Sequence, residues 1–144
     1  MKPIAIACDN AGLDMKNEII AFLNKQSLEY ADFGAYDESP VDYPDFAYKV
    51  SKSILSGECD KGILICGTGN GISMAANRFR GIRAAICHDT FSTEAARSHN
   101  DANIISFGAR VITAETALMC LEIFLATPFS GEERHSRRIK KIEN

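Results

Sequence analysis

Three kinds of reactive side chain stand out in this sequence: a cysteine before a glycine-rich segment, a histidine beside an asparagine, and arginines near the end. Cys66 precedes Gly-Thr-Gly-Asn-Gly at 67–71, His99 precedes Asn100, and Arg134 and Arg138 stand four residues apart. An ionised thiol is a base or nucleophile, an imidazole transfers protons near neutral pH, and guanidinium groups bind phosphate. Together these groups indicate proton-transfer chemistry on a small phosphorylated substrate.

The residues around Cys66 predict a strand, a tight turn and a helix N-terminus. Residues 63–66 form an apolar run typical of a parallel strand covered on both faces. The three glycines of 67–71 allow a tight turn with exposed N–H groups, and helical spacing begins at Ile72. Free amides and a helix dipole together favour a bound anion. An ordinary strand–helix turn is the alternative, because the segment lacks a P-loop lysine and no acidic ribose ligand ends the fourth strand.

The cysteines indicate free thiols. Their number is five, and no C-x-x-C pair occurs, which favours a reducing compartment over a disulfide framework or a zinc site. We expect Cys8, Cys87 and Cys120 to be small buried apolar residues, whereas Cys59 lies in a polar turn and is expected to be exposed. Only Cys66 is expected to face amide groups. These features predict a cytoplasmic protein with no metal site and no cofactor.

The histidines and the basic tail also have simpler interpretations. His99 stands at a predicted helix C-terminus, where a histidine often only interacts with the helix dipole. Nothing in the sequence beside His88 indicates a partner, and His135 is interpretable as a solvated residue of the tail. Basic residues at a chain end are usually solvated as well. On a helix, however, Arg134 and Arg138 share one face, and two guanidinium groups on one face suit a phosphate.

Strand and helix patterns alternate along the whole chain. The predicted strands are near 3–8, 30–33, 63–66, 83–87 and 103–107. The predicted helices are near 13–26, 44–56 (capped by Asp42, with Pro44 in its first turn), 72–81, 90–98, 114–126 and 132–144. This alternation predicts a single α/β domain over 1–144, an open parallel sheet with helices on both faces. Ligands bind such sheets at the carboxyl ends of strands, which selects residues 9–10, 66–71, 87–88 and 107–110.

Composition excludes several other classes of protein. The net charge is −3 and basic residues concentrate only in the tail, so a nucleic-acid-binding surface is not supported. No apolar run approaches the roughly 18 residues that a membrane span needs. A signal peptide is not expected either, since a strand pattern begins at once without the usual apolar region.

Short motifs distributed over the whole chain resemble one known family. They are Ile6–Asp9, Asp42–Pro44, Ile65–Ser73, Ala76–Arg78, Gly81–Ala84, His99–Asn103, Phe107–Arg110 and Arg134–Arg138. In this combination the chain resembles the type B ribose-5-phosphate isomerases, whose wider family includes galactose-6-phosphate isomerase subunits. The resemblance implies a three-layer α/β/α Rossmann-like sandwich with a five-stranded sheet. It also implies a homodimer, or a dimer of dimers, with active sites shared between subunits.

The same resemblance implies cofactor-independent isomerisation of ribose 5-phosphate to ribulose 5-phosphate through a cis-enediolate. Cys66 is then the base, and His99, helped by Thr68, opens the sugar ring. The amides of the loop hold the enediolate, and further residues bind the hydroxyls and the phosphate, with the tail of 132–144 reaching the partner subunit. These binding residues are Gly67, Gly69, Asn70 and Gly71 for the enediolate, Asp9, Tyr43 and Asn100 for hydroxyls, and Arg110, Arg134 and Arg138 for phosphate.

Asn10 departs from the family pattern, which usually has a histidine that helps to hold the phosphate. Asparagine still donates a hydrogen bond but has no proton to titrate, so we expect weaker phosphate binding or an altered substrate preference, with the chemistry retained. The alternatives are an isomerase of galactose 6-phosphate or allose 6-phosphate, a non-catalytic sugar-phosphate-binding subunit, and a flavin or nucleotide binder. The presence of both Cys66 and His99 speaks against a non-catalytic subunit, and the missing fingerprint speaks against flavin.

Overall fold

The computed structural model describes residues 1–144 and contains one five-stranded sheet in which every pairing is parallel. The strands are β1 (Ile4–Cys8), β2 (Tyr30–Asp32), β3 (Gly62–Cys66), β4 (Ala84–Ile86) and β5 (Ile104–Gly108), in the spatial order β2-β1-β3-β5-β4. The two edge strands have only three residues each. The strand order, which the sequence could not predict, places β3 at the centre of the sheet.

The chain forms six α-helices, and the first five of them pack on the sheet. The six helices are α1 (Leu13–Lys25), α2 (Tyr43–Leu55), α3 (Asn70–Ala76), α4 (Thr90–Ser98), α5 (Ala114–Ala126) and α6 (Glu133–Ile142). Alternate residues of each strand point to opposite faces, so Ile4 and Ile6 pack with α1, α4 and α5, and Ala5 and Ala7 pack with α2 and α3. This arrangement confirms the predicted α/β/α sandwich. No helix has the length and apolarity that crossing a bilayer requires.

Three local predictions are wrong. Helix α3 ends at Ala76, well before residue 81, because the Asn77 side chain turns back and exchanges two hydrogen bonds with the backbone of Ala84. Asp42 occupies the N-cap position of α2, but its side chain accepts no capping hydrogen bond. Cys59 is 1% exposed, because its turn folds against α2 and its N–H donates to the Ser53 carbonyl. The predicted burial of the cysteines at 8, 87 and 120 is confirmed.

Candidate active site

Cys66 is the last residue of the central strand β3, and its thiol lies on the face covered by α2 and α3. The side chain is 5% exposed. The Gly69 N–H donates to Cys66 Sγ over 3.2 Å, so the chain curls around the sulfur within three residues. That curl requires a positive φ of 84° at Gly69, a conformation that glycine adopts without strain. The sulfur therefore lies against a backbone amide that donates a hydrogen bond to it.

Of the other backbone N–H groups of residues 67–71, one donates a hydrogen bond within the chain and the rest do not. The Asn70 N–H donates to Thr68 Oγ1 over 3.2 Å, which leaves the exposed Thr68 hydroxyl its own proton to donate. The N–H groups of Gly67, Thr68 and Gly71 donate to no other atom of the chain. Three free donors thus lie between the thiol and the first turn of α3, where a developing anion could bind.

Tyr43, the first residue of α2, lies directly against this loop. A Cβ atom built on Gly71 would stand 2.5 Å from Tyr43 Cζ and 2.8 Å from Tyr43 Oη. Only a glycine at position 71 therefore permits this placement of the phenol. The side chain of Tyr43 is also accessible, at 40% exposure, so its hydroxyl can contact a bound molecule.

Asp9 and Arg110 follow β1 and β5 and supply opposite charges beside the loop. Asp9 Oδ1 accepts from the N–H groups of Ala11 and Gly12 over 3.0 and 3.3 Å. Partial burial raises the pKa of Asp9, and these hydrogen bonds and the nearby Arg110 oppose that rise. A Cβ atom on Gly67 would stand 3.3 Å from Arg110 Nη1, so the guanidinium group lies over the loop. Arg110 is exposed and pairs with no carboxylate of the chain, which leaves it available to an anion.

Two further polar residues border this edge of the sheet. Asn10 Oδ1 accepts from the Val41 N–H over 3.3 Å, which ties residue 10 to the segment leading to Tyr43 and leaves its amide nitrogen without a partner in the chain. No partner for His88 was predicted, but its Nε2 accepts a hydrogen bond from the Gly108 N–H over 3.0 Å. Burial lowers the pKa of His88, which favours the neutral acceptor form. The sequence feature that could have indicated a role for His88 at this edge was its position directly after the predicted fourth strand.

A second group of predicted residues lies around the ends of α4 and α6. His99 caps α4, and its ring packs on that of His135 with 4.4 Å between the centroids. The prediction of a solvated His135 is wrong, because the side chain is 5% exposed and its Nδ1 is 2.8 Å from Ser130 Oγ. Burial, with His99 and then Arg134 nearby, lowers the pKa of His135, and Arg138 opposes its protonation as well. The spacing of residues 135, 139 and 142 places them on one helix face, and this pattern could have predicted that His135 packs against the protein.

These two groups lie at opposite edges of the sheet. Arg83 directly precedes β4, and its Nε donates to the Asn100 carbonyl over 3.0 Å; the Gly62 N–H, at the start of β3, donates to the Asn103 carbonyl. Asn100 therefore lies at the edge where strands begin, whereas Cys66 lies where β3 ends. Five residues of parallel strand span about 13 Å, so one chain does not bring its own His99 to its own Cys66.

The predicted site residues thus form two clusters. The strand-end cluster contains the thiol, the loop amides, the phenol and one arginine; its residues are Asp9, Asn10, Tyr43, Cys66, Gly67, Thr68, Gly69, Asn70, Gly71 and Arg110. The helix-end cluster consists of His99, Asn100, Arg134 and Arg138, with His135 among them. No three His, Cys, Asp or Glu side chains come together as metal ligands would.

Comparison with known proteins assigns the chain to a family. The model of a ribose/galactose isomerase family matches residues 4–142. Ribose-5-phosphate isomerase B of Escherichia coli is 44% identical over 99% of this chain and 95% of its own. A D-erythrulose-4-phosphate isomerase of Pectobacterium atrosepticum is also 44% identical, over 91% of this chain and 87% of its own. The crystal structure of a ribose 5-phosphate isomerase from Thermotoga maritima matches with a TM-score of 0.96 and 51% identity, over 99% of this chain and 97% of that one. The chain therefore belongs to the ribose/galactose isomerase family.

Proposed function

We propose that this sugar-phosphate isomerase interconverts ribose 5-phosphate and ribulose 5-phosphate, without a cofactor, through a cis-enediolate. One observation carries the proposal: the Cys66 thiol is followed by three free backbone amides, with an unpaired arginine over the same loop. A base, an oxyanion site and a phosphate ligand are the three parts that an aldose–ketose isomerisation needs. The family membership and the ribose-5-phosphate isomerases among the relatives support this choice of substrate.

Cys66 is the base in this proposal. As a thiolate it takes the proton from C2 of the open-chain aldose, the C–H electron pair forms the C1–C2 double bond, and negative charge moves to O1. The thiol then returns the proton to C1 while the O2 proton moves to O1, which leaves a carbonyl at C2 and a hydroxyl group at C1. A hydrogen on carbon next to a carbonyl is only weakly acidic, so a positioned base contributes about 10²–10⁴-fold to such a step.

The free amides of Gly67, Thr68 and Gly71 are the donors that receive the charge created by this step. In comparable sites one oxyanion donor lowers the barrier by about 2.7–4 kcal/mol, because it is already oriented when the charge appears. The Gly69 amide is occupied by the sulfur and the Asn70 amide by Thr68, so these two act on the base and on the hydroxyl. In this proposal the predicted role of the loop amides in holding the enediolate belongs to the three free ones, those of Gly67, Thr68 and Gly71.

A homodimer with shared sites follows from the separation of the two clusters. Ring opening by His99 and phosphate binding by Arg134 and Arg138 require these groups near Cys66, which their own chain holds at the other edge of the sheet. A two-fold symmetric pair offers the strand-end cluster of each chain to the helix-end cluster of the other. The large apolar side chains beside the clusters support such a contact: Met74 is 69% exposed and Phe91 is 84% exposed.

The decisive assay incubates the protein with ribose 5-phosphate and measures ribulose 5-phosphate. We expect the Cys66→Ala variant to lose about 10²–10⁴-fold in kcat with its fold intact. Cys59→Ala is the matched control, since it removes another buried thiol outside both clusters. Turnover close to wild type in Cys66→Ala would refute the assignment of the base, and an inactive wild type would refute the reaction itself.

Mixed subunits test the shared site directly. Neither Cys66→Ala nor His99→Ala should be active alone, but a mixed dimer contains one complete site, formed by the intact cysteine of one chain and the intact histidine of the other. Random mixing of equal amounts should therefore restore roughly a quarter of wild-type activity. A site built within one chain restores none, because every site of the mixed dimer then carries one of the two substitutions.

The relative that acts on D-erythrulose 4-phosphate supports a second candidate substrate. It is as identical to this chain as the E. coli ribose-5-phosphate isomerase, so overall identity does not select the sugar length. The kcat/KM values for four-, five- and six-carbon aldose phosphates, galactose and allose 6-phosphates included, decide this question. We expect the five-carbon substrate to give the highest value.

A further inference from the structure

His135 is the one deeply buried side chain of α6. The helix carries basic residues along most of its length, yet His135 is 5% exposed. It is not buried in the apolar core of the sheet. Its ring instead packs on His99, with 4.4 Å between the ring centroids and 34° between the ring planes. The buried ring of His135 therefore lies directly against His99, the residue proposed to open the sugar ring.

Ser130 holds the His135 ring at a fixed place relative to α4. Ser130 Oγ lies 2.8 Å from His135 Nδ1, and it also accepts from the Glu132 N–H over 3.2 Å. The backbone of the same serine is tied to the end of α4, since its N–H donates to the Ser98 carbonyl over 3.0 Å. The ring of His135 is thus connected by two successive hydrogen bonds to the residue directly before His99.

The His99 side chain, by contrast, has no hydrogen bond of its own in the chain. It is exposed, it follows the last residue of α4, and only its backbone N–H is held, by the Ala95 carbonyl. A histidine side chain without a hydrogen bond rotates about χ1 and χ2, so a rigid flat neighbour is what limits the orientations of its ring. His135 is that neighbour.

We propose that His135 is a positioning residue for His99, and that its ring, held by Ser130, fixes the plane in which the His99 imidazole meets the sugar. This inference rests on the proposed function, in which His99 opens the ring of the aldose. His135 itself touches no reacting atom. Its removal should slow the ring-opening step and should leave phosphate binding and the proton transfer at Cys66 unchanged.

The substrates themselves separate these steps. Ribose 5-phosphate closes to a furanose and has to be opened, whereas ribulose 5-phosphate cannot form that ring, because its C5 oxygen carries the phosphate. Exchange of the C1 hydrogen of ribulose 5-phosphate in D2O, followed by proton NMR, therefore reports the base without ring opening. Turnover of ribose 5-phosphate reports both steps.

We expect His135→Ala to lower kcat for ribose 5-phosphate by about tenfold, with KM and the exchange rate within about twofold of wild type. His135→Phe, which keeps a flat ring against His99, should restore kcat to within about threefold. Ser130→Ala should give an intermediate loss. Arg137→Ala is the matched control, since it removes an exposed α6 side chain whose contact is Glu133, and it should leave all three quantities unchanged.

Each other result overturns the inference. Unchanged kcat in His135→Ala shows that the stacked ring is not needed, and a raised KM with normal kcat shows a binding role. A parallel loss of exchange and turnover in both His135 variants shows a structural role. A failure of the proposed function has a different signature, because wild-type protein then shows neither turnover nor exchange.

Discussion

Gly71→Ala tests the contact between the loop and Tyr43. The new Cβ atom would stand 2.5 Å from Tyr43 Cζ, whereas carbon atoms in contact are about 3.5 Å apart, so the ring has to move by about 1 Å or rotate away. Rotation is easy, because Tyr43 is 40% exposed and lies at the start of α2. The substitution should therefore displace the phenol and leave the backbone in place.

The structure predicts different magnitudes for stability and for binding. Position 71 lies in α3, where alanine is favoured over glycine by roughly 0.5–1 kcal/mol, and this gain offsets the cost of moving the ring. The free energy of unfolding should thus change by less than about 1 kcal/mol. A sugar hydroxyl loses its hydrogen bond from Tyr43, a loss of about 0.5–1.5 kcal/mol, so KM should rise by about two- to twelvefold.

A double-mutant cycle distinguishes this displacement from direct obstruction of the loop by the new methyl group. We expect Gly71→Ala and Tyr43→Ala to raise KM to the same extent and the double variant to raise it no further. Tyr48→Ala is the control, since it removes another exposed tyrosine of α2 away from the loop. Additive losses, or a Gly71→Ala variant with the KM of the wild type, would refute the reasoning.

Three further predictions concern Asn10 and Asp9 of the strand-end cluster and His88, which borders it. Asn10→His should lower KM for ribose 5-phosphate, because an imidazole can carry a positive charge beside the phosphate; an unchanged KM shows that position 10 does not limit affinity. Asp9→Asn should raise Tm at pH 7, because burial raises the pKa of Asp9 and the ionised carboxylate therefore destabilises the folded state. The same substitution should lower kcat/KM by about tenfold, because a hydrogen bond to the sugar is weakened. An unchanged Tm would contradict the expected cost of burying the carboxylate. Burial lowers the pKa of His88 in the folded state below the ordinary histidine value of 6.5. Just below pH 6.5, His88 therefore binds a proton in the unfolded chain but not in the folded one, so the free energy of unfolding of the wild type should fall as the pH drops below 6.5. Urea titrations should show a smaller fall in His88→Gln, and equal pH profiles would contradict this.

The sequence predicted most of the fold because its patterns are local. Apolar runs of four or five residues, each followed by a polar turn and a helical pattern, required parallel strands with crossover helices, and the sheet has that form. Errors arose where a distant contact decides the local structure. Helix α3 ends early because Asn77 pairs with Ala84 on the neighbouring strand, and Cys59 is buried because its turn folds against α2. Neither contact can be predicted from the residues next to it in the sequence.

The division of the site into two clusters has a simple origin in the alternation of strands and helices. A residue that follows a strand lies at one edge of a parallel sheet, and a residue that follows a helix lies at the other. Cys66 follows β3, whereas His99 follows α4, so the order of elements already separates them within one chain. If both act on one sugar, the second must come from another chain, and the mixed-subunit assay measures this requirement directly. In that arrangement α6 supplies the two arginines that the sequence predicts for the phosphate, and the proposal for His135 adds a role that the sequence does not reveal, the orientation of His99.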